Sequence, residues 1–259
     1  MAVISALRVV PVKGLHAVAR DALYLDRDGV AEDRRLFLLD AAGEVVTMRE
    51  HAGLVQAVPD LDLAAGVLRV TVPDGRSVST ALAAVTEPVS AELYGKQRTG
   101  RVLPGDVSDA LSDLAGAPLR VVLGDRTGVG WDEGPISILG SASAAEIGAP
   151  RGDTVRYRMT VEVDGLAPFE EDTWVGEHVG LGDAVVAVTH PLQRCVVITM
   201  SPDTGAQDWD GLHALARRRG RDHLCLGVIA EVAEPGVVRV GDEVIGPSAG
   251  RAAETARVR

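Results

Sequence analysis

Apolar and polar positions alternate through much of this chain, the two-residue period of strands with one buried face. Val67-Leu68-Arg69-Val70-Thr71-Val72 shows the pattern, and Pro73-Asp74-Gly75 behind it supplies turn chemistry. Arg35-Leu36-Phe37-Leu38-Leu39 and Val45-Val46-Thr47-Met48 flank Asp40-Ala41-Ala42-Gly43-Glu44, which predicts a hairpin with Gly in its turn. Further strands are predicted at 3–10, 119–123, 155–163, 184–189, 195–200, 225–232 and 236–240. Short strands at this turn spacing predict a mainly β protein with a few helices (α+β), built of barrels or curled antiparallel sheets.

The helical period is rarer. Residues 106–116 place Val107, Ala110, Leu111 and Leu114 on one face, with Gly116 and Pro118 as stops. Residues 209–219 end in Arg217-Arg218-Arg219 before Gly220, where cations complement the helix dipole. A short helix is expected to start near Ser141 or Ser143, with Ser143 and Glu146 at capping-box spacing. Gly and Pro concentrate at 116–136, the expected domain junction. The divisions are therefore 1–123 and 124–247, with 248–259 as an Ala/Arg-rich fraying tail.

Composition narrows the core. Only 3% of the 259 residues are aromatic against 46% hydrophobic, so Val, Leu, Ile and Ala must fill the interior. A formal charge of -11 repels phosphate backbones and anionic bilayers, which argues against nucleic acid or a membrane as partner. A small anionic ligand stays possible, because a few local cations outweigh a distant field. No apolar run reaches the roughly 18 residues of a spanning helix, and the first residues lack signal-peptide order, so a cytoplasmic protein is expected. Phosphate-loop, dinucleotide, zinc-protease and serine-hydrolase motifs are absent.

Cys195 is the sharpest candidate. It stands between His190-Pro191-Leu192-Gln193-Arg194 and an apolar run, where a thiol beside Arg194 serves as nucleophile or soft-metal ligand, or else as a small core hydrophobe. The other cysteine, Cys225, sits in an apolar run and reads as core. Lys13, Arg34, Arg156 and Arg158 are cations in apolar strands. On a strand Arg156 and Arg158 share a face, which fits either a bound phosphate or carboxylate or a salt bridge to Glu162. Ser141 and Ser143 at a helix entry serve capping, phosphate binding, or both.

These pieces, taken in order, resemble the MOSC proteins that carry an N-terminal MOSC-associated β-barrel, such as the amidoxime reducing components. The N-terminal match is Pro11-Val12-Lys13, Gly29 to Arg34, Asp40 to Gly43 and Thr47-Met48-Arg49. The C-terminal match is Ser141 to Ser143, Arg156-Tyr157-Arg158, Phe169 to Gly176, Pro191 to Cys195, Asp203-Thr204-Gly205 and Val240-Gly241-Asp242. The resemblance implies an N-terminal barrel plus a MOSC barrel, with a molybdenum–molybdopterin cofactor between the halves. It implies Cys195 as catalytic residue and molybdenum ligand. Lys13, Arg34, Arg156, Arg158, Thr160, Arg194 and the serines at 141 and 143 would hold the cofactor. Gly14 departs from the usual Ser, and Met159-Thr160 from the usual Pro-Asn. The implied activity is reduction of an N-hydroxylated or N-oxygenated small molecule. Two cysteines cannot hold a four-Cys cluster, so electrons would come from an external electron-transfer protein. The alternatives are sulfur transfer through a Cys195 persulfide, a cofactor carrier without redox turnover, and a scaffold binding another anion.

Overall fold

The computed structural model describes residues 1–150 and 153–247; the expected tail at 248–259 lies outside the described residues. Seven strands close into a barrel. Their order is Ala2–Val9, Val161–Asp164, Ile136–Gly140, Cys225–Glu234, Ala184–Gln193, His178–Leu181 and Glu243–Ile245, which returns to Ala2–Val9. Neighbours are antiparallel except Ile136–Gly140 and Val161–Asp164. The interior is β-branched, as the composition requires: Ile4, Ile138, Val161, Val163, Val186 and Val228 pack there with Trp174. Full closure leaves none of these seven strands with an unpaired edge.

The second body is a curled five-stranded sheet, ordered Val45–Val46, Leu36–Leu39, Arg120–Gly124, Lys96–Leu103 and Pro88–Leu93. Its concave face holds Phe37, Leu39, Ala91, Val122 and Val129. The helix Asp106–Ala115 and the meander Val58–Asp62, Val67–Thr71 and Ser77–Ala81 cover the other face. The predicted 40–44 hairpin forms, with Leu38 opposite Val46. The helix at 106 ends at Gly116 in the left-handed region, and the third helix runs Gly211–Arg219. No helix among the described residues is long and apolar enough to cross a membrane.

Four expectations change. Residues 155–163 are not one strand: Val155–Tyr157 form a 3₁₀ turn, Arg158 takes φ 57°, and the strand is Val161–Asp164. The alternation arises because Tyr157 and Met159 enter a separate core cluster. Residues 195–200 form a 3₁₀ turn at Val196–Thr199. The helix Ser141–Ile147 is capped by Gly140, so Ser143 lies inside it and makes no capping box. Strand pairing does cross the expected junction: Ala2–Val9 zips between Val161–Asp164 and Glu243–Ile245, and Ala22–Leu25 pairs with Gly236–Arg239. Finally, Cys225 is half-buried at the start of its strand, not in the core.

Candidate functional site

A cavity of about 460 Å³ opens where the two bodies meet. That is within the range of small-molecule sites. Lys13 reaches it from the segment after the first strands, fixed by its N–H donating to the Leu36 carbonyl at 2.8 Å. Gly14 follows at φ 90°, and a Cβ there would lie 2.9 Å from Thr47 Cα. A serine would be strained at this position in this backbone. The Lys13 ammonium is buried. It donates to Asp132 Oδ1 at 2.6 Å and to the Gly130 carbonyl at 3.0 Å. Burial brings its pKa down to about 8 despite the opposing pull of Asp132.

Arg34 sits at φ 47°, its N–H bound to the Val10 carbonyl. Its guanidinium donates to Asp33 at 2.6 Å and to the Arg158 carbonyl at 3.1 Å. Asp33 is fully buried and also accepts the Val10 N–H, so one carboxylate fixes both the loop and the cation. Gly130 passes against Arg34, where a Cβ would meet the Arg34 carbonyl at 2.9 Å.

Across the cavity stand Arg158, Arg194 and Cys195. The Arg158 guanidinium has neither a hydrogen bond nor an ion pair among the described residues. Burial and the nearby Arg34 charge bring its pKa down to about 10. Arg194 is buried, donating to the Tyr157 carbonyl at 2.6 Å and stacking over the Tyr157 ring. Its role is therefore partly to hold the wall. Cys195 is half-buried where the strand Ala184–Gln193 stops and the 3₁₀ turn begins.

Two cavity residues carried no sequence signal of their own. Arg49 donates to Cys195 Sγ at 3.0 Å and to the Tyr94 hydroxyl at 2.6 Å. Thr47-Met48-Arg49 stood out only as part of a collinear set. Tyr94 lies at the tip of a hairpin whose two central residues, Tyr94-Gly95, are the one available clue. Asp132 and Glu133 also line the space; burial opposes ionisation of Asp132, but Lys13, Arg34 and Arg49 outweigh it and hold its pKa down. Five cations thus face two carboxylates in a chain whose formal charge is -11. The arrangement can take an anionic ligand of small-molecule size and present it to a thiol.

Four expected residues do not line the cavity. Arg156 points behind it, into Asp153, Asp208 and the carbonyls of Ile198 and Met200. The left-handed step at Arg158 puts these two arginines on different faces, and Glu162 pairs with Arg8 instead. Ser143 is fully buried, donating to Glu171 and accepting the Phe169 N–H. Ser141 opens that helix away from the cavity. Thr160 is buried behind Ser137, whose hydroxyl accepts the Thr160 N–H; Ser137 itself is a lining residue.

Comparison with known proteins gives two domains in tandem. The MOSC N-terminal beta barrel domain matches residues 1–118 and the MOSC domain residues 125–245. Mitochondrial amidoxime reducing component 2 of Bos taurus is 24% identical over 231 residues, covering 79% of this chain and 68% of that protein. Molybdenum cofactor sulfurase of Oryza sativa subsp. japonica is 21% identical over 269 residues, covering 87% of this chain and 32% of that protein. The crystal structure of the YUAD protein from Bacillus subtilis superposes over 94% of both chains at 15% identity, with a TM-score of 0.46. The chain belongs to the MOSC family, in the form that joins a MOSC N-terminal β-barrel domain to a MOSC domain.

Proposed function

We propose that this protein binds a molybdenum–molybdopterin cofactor and reduces N-hydroxylated or N-oxygenated small molecules. The observation that carries the reading is the Arg158 guanidinium, without an ion pair or side-chain hydrogen bond among the described residues, in a cavity that also presents Cys195. An ionised group in that position calls for a bound anion. The donor set fits: cations for a phosphate, and one soft thiolate for a metal. Lys13, Arg34 and Arg158 would hold the phosphate and pterin, and Cys195 would ligate the metal. The name of the bovine relative supports the reduction, and that of the rice relative supports the molybdenum cofactor alone.

Such a cofactor, when bound, supplies two-electron redox chemistry at a metal-bound position. The chain's own residues organise the rest. The reaction consumes an N–OH group, two electrons and two protons, and yields N–H and water. A separate electron-transfer protein delivers the electrons. Lys13 carries a proton on Nζ at neutral pH, held between Asp132 and the Gly130 carbonyl. Arg194 fixes the Tyr157 backbone beside Cys195. Glu133 lines the cavity and is held at 3.2 Å by His190 Nε2 from behind.

The test is elemental analysis of protein made in a cofactor-competent host. Molybdenum should copurify with the wild type and be lost in Cys195→Ala. Equal, near-zero metal in both would reject the reading. A gain of one sulfur on Cys195 after exposure to a cysteine desulfurase, without metal, would favour sulfur transfer instead.

A further inference from the structure

The hairpin joining Pro88–Leu93 to Lys96–Leu103 turns on Tyr94 and Gly95, with φ of 52° and 70°. Asn, Asp or Gly takes the first place of such a turn easily, whereas a tyrosine there is strained. Packing does not explain the residue, because Tyr94 is 54% exposed. Its contacts are with the cavity. The ring lies 5.7 Å from the Arg49 guanidinium carbon, and the hydroxyl accepts an Arg49 N–H. Arg49 also donates to Cys195 Sγ, and makes no other side-chain hydrogen bond among the described residues. The rest of its five N–H groups are therefore unspent at the cavity mouth.

We propose that Arg49 and Tyr94 are the substrate-recognition pair of this site. The Tyr94 ring stacks on a flat, conjugated substrate, and the spare Arg49 N–H groups donate to the oxygen of its N–O bond. Arg49 touches Cys195 Sγ, so this places the oxygen end of the substrate over the sulfur. Flat heteroaromatic N-oxides and aryl N-oxygenated compounds are then preferred over aliphatic ones. The inference rests on the reductase reading for its substrate class, but the binding it describes does not require turnover.

The probe is pyridine N-oxide, with pyridine as the oxygen-free control, followed by ligand-observed NMR on the purified chain. The N-oxide should bind several-fold more tightly than pyridine. Arg49→Ala should erase that advantage, and Tyr94→Ala should weaken both ligands. Tyr94→Asn suits the turn, so it should keep or raise the melting temperature while losing affinity. In metal-loaded protein, Arg49→Ala should raise KM for a flat N-oxide about tenfold with a smaller change in kcat. Equal binding of the two probes by the wild type, or wild-type affinity in Arg49→Ala, would overturn the pair. Arg49-dependent binding without turnover in metal-loaded protein would sink the reductase reading and leave the pair standing. Turnover with KM unchanged in both alanine variants would do the reverse.

Discussion

Inside the seven-stranded barrel, Ile138, Val161 and Val228 are fully buried and their backbone groups are spent on neighbouring strands. At the cavity a few residues away, Arg158 makes no ion pair among the described residues, and Arg34, Tyr94 and Arg158 all hold positive φ. Those three are among four non-glycine residues with positive φ in the described chain, the other being Phe169. Three of the four strained non-glycine residues thus line the cavity, where cations outnumber carboxylates, while the barrel interior is apolar. The lesson is that the residues that pack the fold and those that line the cavity are different here, even when close in sequence. Arg156 and Arg158 are the sharpest case: Arg156 is ion-paired with Asp153 and Asp208, whereas Arg158 makes no ion pair among the described residues.

The contrast can be broken, and the barrel should yield most. Ile138→Ala removes a fully buried side chain, with an expected loss of about 4 kcal/mol in urea unfolding. A loss under about 1 kcal/mol would mean the barrel interior is not the main source of stability. Next comes Arg156→Ala, which strands the carbonyls of Ile198 and Met200 and the two aspartates. About 3 kcal/mol should be lost, because breaking a buried ion pair leaves its partners uncompensated.

Lys13 gives a pH signature of the cavity. Its folded pKa, about 8, lies below the ordinary 10.5, so between those values the unfolded chain binds more protons. Stability should therefore rise as pH goes from about 8 to 10.5, by on the order of 2–3 kcal/mol. Lys13→Met should lack that rise, and the difference between the two unfolding curves reads it directly. A pH-independent difference would show that the ammonium is not held against burial.

The smallest stability effect belongs to the residue with the clearest binding role. Arg158→Gly relieves the left-handed backbone and removes an unpaired charge, so stability should hold or rise by up to about 1 kcal/mol. The same variant should lose phosphate affinity, measured by titration calorimetry, at least tenfold. Arg156→Ala, examined below its melting point, should keep that affinity. Reversal of these two results would exchange the roles of the two arginines.

Strand-rich barrels were legible because period-two alternation is a local signal, and Leu38 and Val46 duly pair across the 40–44 hairpin. The site was legible where a cation interrupts an apolar stretch, as at Lys13, Arg34 and Arg158. It was not legible where the chain leaves its period for reasons set elsewhere. Arg156-Tyr157-Arg158 alternates like a strand, yet the Tyr157 and Met159 side chains serve another core cluster. Ser143 looks like a phosphate or capping serine, and only the fold shows Glu171 waiting beside it. Val196-Val197-Ile198-Thr199 is a short apolar run, which pattern alone cannot assign to strand or turn. Arg49 and Tyr94 lie far apart in the chain and meet only because the five-stranded sheet curls its two edge strands, Val45–Val46 and Pro88–Leu93, toward each other.

The strand Ala2–Val9 lies between Val161–Asp164 and Glu243–Ile245. On the ribosome, Ala2–Val9 is thus made more than two hundred residues before its partner Glu243–Ile245 and must wait for it. Until residue 245 emerges the cylinder stands open, with two edges able to pair with other chains. Closure over so long a separation makes for slow folding, and a second half expressed without its first twenty-five residues would keep that seam exposed for good.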